Sequence, residues 1–236
     1  MFAFPLYFIR HGETFYNAEG RVQGQLDTPL SPLGREQARE AGGVLKGALA
    51  AARLAPEDFG WFASPLSRAV DTMALAREAM HLPETGFSTD PRLMELNFGA
   101  WQNLTWPEIR ARDARGAAAR TSDIWNYAPP GGESYAMLAE RVKKWLAERE
   151  GPIVAVAHGG VARVLMAMLG GVAPVEAAVV MQEQQIRRLP IVNHDMQLVG
   201  IVSLGDLAVD SDQKDVDDDI IGEVLEDISA PAAPKR

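Results

Sequence analysis

The sequence predicts a three-layer α/β/α sandwich with a mainly parallel sheet, followed by a small C-terminal α+β segment. Three observations predict it. Short apolar runs at 6–9, 61–64 and 153–157 each stop at a polar residue or a glycine-containing turn. Stretches with helical spacing alternate with those runs over short connections, which is the pattern of helices covering a parallel sheet. After Gly171 the pattern changes to two apolar runs, 188–192 and 198–202, separated by Asn193-His194-Asp195-Met196-Gln197, as in a β-hairpin.

Each element has its own reason. Leu6 to Ile9 is a short buried strand that ends at Arg10-His11-Gly12. Ser31 caps a helix running to about Ala52, with Pro32 at its first position, where a missing N–H does no harm. Trp61-Phe62-Ala63-Ser64 reads as a second strand end. A helix is expected from Pro65 to about Met80, with Ala69, Met73, Leu75 and Ala76 as its apolar positions. The segment 104–149 is helical and more polar, broken by Pro129-Pro130-Gly131-Gly132. Its last part, Glu133 to Glu148, carries Met137, Leu138, Val142, Trp145 and Leu146 at helical spacing. Ile153 to Ala157 is continuously apolar, as a strand covered on both faces must be. It ends at His158-Gly159-Gly160, and a helix follows from Val161 to Leu169. An amphipathic helix is expected over 173–185 and a short one over 220–228. The boundary is placed at 172, giving a main domain over 1–172 and an appended segment over 173–236.

Composition excludes several function classes. The chain has 236 residues, 47% hydrophobic and 23% charged, as in an ordinary globular protein. It has no cysteine, which rules out disulfides and thiolate metal sites. No apolar run is long enough to span a membrane. The apolar start lacks a basic leader and a small-residue cleavage site, so a cytoplasmic location is expected. A net charge of −9 argues against nucleic-acid partners. The acidity is concentrated: residues 205–236 carry ten acidic against three basic side chains, so the rest is close to neutral. The acidic tail is read as a solvated surface.

In open parallel sheets, sites form at the carboxyl ends of strands. Three such ends carry Arg10-His11, Ser64 with Arg68 soon after, and His158. That set suits phosphoryl chemistry, which needs a nucleophile, cations around the equatorial oxygens and an acid for the leaving oxygen. An uncharged histidine can be the nucleophile near neutral pH. Arg10 and Arg68 would bind the phosphate through forked hydrogen bonds and disfavour a charge on His11. His158 is a further donor. Glycines beside both histidines, Gly12 and Gly159, would allow close backbone approach to the phosphate, and the helix after Gly160 would aim N–H groups at an anion. The four histidines, His11, His81, His158 and His194, show no metal-ligand spacing. Glu13 and Thr14 read as turn or helix-entry residues, Trp101 and Trp106 as packing residues, and His81 as a cap or surface residue.

Seven motifs then occur in order: Arg10-His11-Gly12-Glu13-Thr14; Asn17; Gly24 with Asp27-Thr28-Pro29-Leu30-Ser31-Pro32-Leu33-Gly34; Ser64-Pro65-Leu66-Ser67-Arg68-Ala69; Glu95-Leu96-Asn97-Phe98-Gly99; Gly131-Gly132-Glu133-Ser134; and His158-Gly159-Gly160. Together they resemble the histidine phosphatase (phosphoglycerate mutase-like) superfamily over about residues 6–172. The resemblance implies that His11 becomes phosphorylated, that Arg10, Arg68 and His158 hold the phosphoryl group, and that Asn17, Gln23 and Gly24 complete the pocket. It makes Glu95 the proton donor. It implies a small phosphorylated metabolite as substrate and no metal or other cofactor. The stretch from Leu96 to Thr105 is closer to the phosphatase branch than to the mutases, with Asn103 where that branch has glycine. Hydrolysis is therefore expected, with a phosphoglycerate-mutase-type phosphotransferase as the alternative. Oligomeric state is open, a homodimer included.

Residues 173–207 resemble a partial cystathionine-β-synthase-type (CBS) motif, carried by Glu176 to Met181, Gln185 to Val192 and Gly200 to Leu207. Ser203 and Asp206 match that family's ribose-binding positions. Adenine-nucleotide binding, or a regulatory protein with a phosphatase-like scaffold, follows as a rival reading. Such modules work in pairs and this chain has one fragment, so a structural role is preferred. Deleting residues 174–236 is expected to lower stability or solubility. A truncated chain that stays folded but loses a response to adenylate would contradict that preference.

Overall fold

The computed structural model describes residues 4–170 and the strands 188–192 and 198–203. Four parallel strands form the main sheet in the order β1-β4-β2-β3: β1 Leu6–Arg10, β2 Gly60–Ala63, β3 Ser88–Thr89 and β4 Ile153–Ala157. The helices are α1 Phe15–Ala18, α2 Pro32–Ala52, α3 Ser67–Ala79, α4 Trp106–Arg112, α5 Ala114–Ser122, α6 Tyr135–Ala147 and α7 Gly159–Leu165, the last running into a π-turn at Met166–Gly170.

The period-two alternation of the strands divides the core into two layers. Leu6, Ile153, Ala155 and Ala157 face α6 and α7, where Leu138, Val142, Trp145, Val161 and Val164 are fully buried. Tyr7, Trp61, Ala63, Val154 and Val156 face α2 and α3, meeting Leu45, Leu49, Ala69 and Met73. Every residue of β4 is buried, as its unbroken apolar run requires. A satellite cluster of Trp101, Trp106 and Ile109 lies apart from the sheet.

Several expectations shift. β3 pairs only Ser88 and Thr89, both exposed, too short for any apolar signal. The helix expected from Pro65 starts at Ser67. Leu66 offers no side-chain cap there, and Asp27 Oδ1 accepts the Ser67 N–H instead, at 2.9 Å. α7 starts at Gly159, earlier than expected. Met137, placed on the apolar face by spacing, is exposed, and Leu75 is only partly buried; Tyr135 and Thr72 take buried positions instead. His81 is exposed in the left-handed region at φ +63, one residue past Met80, the C-cap of α3.

β5 Arg188–Val192 and β6 Leu198–Ser203 pair antiparallel, as the hairpin pattern anticipates. β6 lies beside β1, at the edge of the main sheet, without joining its ladder. The helices expected over 173–185 and 220–228, the turn 193–197 with His194, the acidic tail and Asp206 lie outside the described residues. Ser203 is the last residue of β6.

Asn103 has φ +64. The expected glycine is thus replaced by the other residue type that enters this region at low cost, so the departure is conformational. Asn103→Gly should leave stability within about 0.5 kcal/mol, while Asn103→Val should cost about 1–2 kcal/mol. Urea unfolding of the two variants checks the order.

Candidate active site

The three candidate strand ends belong to adjacent strands. The ladder extends one residue past each strand: His11 N–H donates to Ala157 O at 3.0 Å, and Ser64 N–H donates to Val156 O at 3.0 Å. This lines up His11, His158 and Ser64 along one edge of the sheet. The His11 and His158 rings meet edge to face with centroids 5.0 Å apart.

His11 is 7% exposed, and its Nδ1 lies 2.8 Å from the Gly12 carbonyl oxygen. A carbonyl only accepts, so Nδ1 carries the proton and Nε2 of the neutral ring keeps its lone pair. Burial, then Arg68, then Arg10 hold the pKa of His11 well below its ordinary 6.5, against a smaller opposing effect of the Gly12 bond. His158 is fully buried, and its pKa is lowered by burial and then by His11, Arg68 and Arg10. Its Nε2 lies 2.7 Å from Ser64 Oγ.

Arg68 is also fully buried. It donates to Leu26 O and Gly24 O, both at 2.7 Å, while its Nε has no hydrogen-bond partner among the described residues. Burial lowers its pKa to about 10, opposed by Glu95 and Asp27, so it stays charged at neutral pH. Gly24 therefore enters the site through its carbonyl, in a turn at φ +57. The Thr14 hydroxyl lies between Asn17 Oδ1 at 3.0 Å and Gln23 Oε1 at 2.9 Å, and Thr28 also bonds Gln23. Asn17 thus closes a capping box on α1, with Thr14 as the helix-entry residue the sequence suggested.

Glu95 lies in a loop. Its Oε1 accepts from Leu96 N at 2.8 Å and Gly160 N at 3.1 Å, while Oε2 has only a 3.3 Å contact with Gly160 N. Oε2 is the oxygen with room for a proton. The N–H expected to meet an anion at the start of α7 is thus turned to this carboxylate. The glycines differ in what surrounds them. A Cβ on Gly160 would strike Glu95 Oε1, one on Gly12 would strike the Gly34 carbonyl, and one on Gly159 would meet only ordinary contact with Arg10 Nε. Close packing of protein against protein requires the first two.

The profile of the histidine phosphatase superfamily (branch 1) matches residues 6–201, most of the chain. The chain belongs to the histidine phosphatase superfamily. The match runs through β5 and into β6. The chain is 39% identical over 178 residues to a glucosyl-3-phosphoglycerate phosphatase of Mycolicibacterium vanbaalenii, covering 70% of this chain and 74% of that one. An adenosylcobalamin/α-ribazole phosphatase of Escherichia coli is 33% identical over 73% of this chain and 81% of its own. A 2,3-bisphosphoglycerate-dependent phosphoglycerate mutase of Gloeobacter violaceus is 30% identical over 72% and 77%. Among solved structures, a mycobacterial glucosyl-3-phosphoglycerate phosphatase with VO3 superposes with a TM-score of 0.57 at 38% identity, covering 69% of this chain and 80% of that one. This histidine phosphatase is a phosphomonoester hydrolase. Among the described residues, no helix is long and apolar enough to cross a membrane.

Some supporting residues carried no signal in sequence. Arg141, on α6, donates to Glu95 O at 2.9 Å and Arg92 O at 2.6 Å and pairs with Glu133, holding the backbone of the Glu95 loop. Gln25 and Gln102 tie the 23–28 loop to the same segment, through Gln25 N–H to Gln102 Oε1 and Gln25 Nε2 to Glu95 O. Helical spacing marks Arg141 only as a polar position. Trp101 and Trp106 pack as expected, with Trp101 Nε1 donating to Asp113.

The neutral histidines give a stability prediction. Each is held unprotonated when folded but takes a proton near pH 6.5 once unfolded. Below 6.5 the unfolded chain binds more protons, so stability is present above 6.5 and falls as pH drops toward the folded values. The slope should reach up to about 1.4 kcal/mol per pH unit for each histidine. Urea midpoints between pH 7 and 5 check this, and a flat profile in that window would contradict it.

Proposed function

We propose that the protein hydrolyses a small phosphomonoester, without a metal, through a phosphohistidine at His11. The single observation that carries this is the Nδ1 bond of His11 to Gly12 O, which leaves Nε2 as an uncharged nucleophile beside Arg10 and Arg68. Nε2 attacks phosphorus, and the P–O bond to the alcohol breaks. The alkoxide takes a proton from Glu95, whose Oε2 is the less engaged oxygen. Water then attacks phosphorus, losing its proton to the Glu95 carboxylate, and the P–N bond breaks to release phosphate and restore His11.

Arg10, Arg68 and His158 hold the equatorial oxygens, where charge is spread in the transition state. Two guanidinium groups supply positive charge that a metal supplies elsewhere. Asn17, Gln23, Gly24 and Gly159 shape the pocket wall. A phosphoglycerate-mutase-type transfer is the second reading, favoured by the identity to the Gloeobacter mutase. For the C-terminal segment, the position of β6 beside β1 supports a role in completing the fold over a nucleotide site at Ser203 and Asp206.

Turnover of an aryl phosphate in excess chelator tests the proposal. The wild type should be active, and His11→Ala should lose at least about a thousandfold in kcat. Acid-labile, base-stable phosphate should be found on His11. Unchanged hydrolysis by His11→Ala would overturn the assignment, and phosphate transfer to a bound acceptor outpacing release would shift it to the mutase.

A further inference from the structure

His158 and Ser64 form a buried pair whose hydrogen atoms can be placed by accounting. Both residues are fully buried, and Nε2 and Oγ are 2.7 Å apart. Ser64 Oγ also accepts the Leu66 N–H at 3.4 Å, a weak bond. His158 Nδ1 is buried and has no hydrogen-bond partner among the described residues.

Two arrangements fit the 2.7 Å contact. In the first, the Ser64 hydroxyl donates to Nε2, and the ring proton sits on Nδ1. One buried group, the Nδ1–H, is then unsatisfied. In the second, Nε2–H donates to Oγ. The Ser64 hydroxyl hydrogen then has no acceptor among the described residues, and the Nδ1 lone pair has no donor, which makes two unsatisfied buried groups. Each such group costs on the order of the desolvation of a polar atom, so the first arrangement is favoured. It also suits the ligand, because an Nδ1–H can donate to a phosphoryl oxygen while a lone pair would repel it.

We propose that Ser64 is a positioning residue that fixes His158 as the neutral Nδ1–H tautomer, aiming a donor rather than a lone pair at the transferring phosphoryl group. The inference rests on the phosphohistidine reading for its consequence, though not for its geometry. Ser64 would act as the buried partner of a catalytic histidine does elsewhere, by choosing which nitrogen carries the proton. It touches no substrate. No atom is transferred to or from it.

Nitrogen NMR of the ring-labelled full-length protein, with and without vanadate, tests this. Assignment comes from loss of the signals in His158→Gln. In the wild type, His158 should show a protonated Nδ1 and an unprotonated, hydrogen-bonded Nε2, and vanadate should move the Nδ1 signal. Ser64→Ala should raise the share of the Nε2–H tautomer and lower kcat by about tenfold to a hundredfold with KM within about threefold, because the donor matters most as charge develops. Ser64→Thr keeps the hydroxyl and should keep the Nδ1–H tautomer. A wild-type His158 protonated on Nε2 would overturn the proposal, and this measurement needs no variant to fold. An unchanged tautomer and kcat in a folded Ser64→Ala would overturn it too. Failure of the phosphohistidine reading would appear separately, as activity retained by His11→Ala.

Discussion

The parallel ladder through β1, β4 and β2 is the constraint on which the site depends. Arg10 pairs with Ala157 and Ala63 with Val156, and the two backbone bonds beyond these pairs bring His11, His158 and Ser64 into line. A slip of one residue in either register would turn a histidine to the opposite layer, since side chains alternate between faces. The register is fixed by the packing of the strands: Ala155 and Ala157 must meet α6 and α7, while Val154 and Val156 must meet α2 and α3. Core packing and site geometry are therefore one condition. The same apolar residues that fold the sheet place the two imidazole rings.

Electrostatics then adds a second condition. Burial first, and then the two guanidinium groups near the two imidazoles, make the environment hostile to further protonation. The rings remain neutral while Arg68 remains charged, a division of labour that suits the binding of an anion. Arg68 is fully buried because it has local acceptors, the Gly24 and Leu26 carbonyls. Those bonds link α3 to the loop before α2, and the Ser67–Asp27 bonds do the same. The loop is thus held from two sides, and Arg68 is held with it. Thr72 extends the linkage by accepting from Gly12 N and donating to Arg68 O.

What could be read in the sequence follows from which signals are local. Strand ends and caps are local, so Arg10-His11, His158 and the Ser31 cap were legible, the last with its Gly34 N–H bond in place. The order of motifs carried Glu95, which no periodicity marks. Contacts between distant segments were not legible. Gly12 reads as room for phosphate but also accommodates the Gly34 carbonyl, and Gly160 accommodates Glu95. Arg141 carries no sequence signal beyond that of a polar helix position, yet it anchors the Glu95 loop. Met137 satisfies the helical period yet stays exposed, because the burial of α6 is centred on Leu138, Val142 and Trp145. β3 has two exposed residues and is made by pairing with β2 alone.

The site divides into two parts with different mechanical support. His11 and His158 sit at the ends of buried strands, and Arg68 lies in the first turn of a packed helix, so their positions follow from the core. Glu95, Gln25 and Asn17 sit on loops or a four-residue helix, held by side-chain bonds such as Gln25 to Glu95 O and Thr14 to Asn17. Phosphoryl transfer makes the same demands on the first group whatever the alcohol. The leaving group changes with the substrate, and on the proposed reading the second group would meet it. Relatives named as a glucosyl-3-phosphoglycerate phosphatase and an adenosylcobalamin/α-ribazole phosphatase are similar in sequence over most of their lengths. Substrate differences among such proteins are accommodated more cheaply in loops than in a sheet whose register the core has fixed. The loop that carries Glu95 therefore couples the two parts: Gly160 N–H binds its carboxylate and Arg141, on α6, its backbone to the core side, while Gln25 binds its backbone to the loop side.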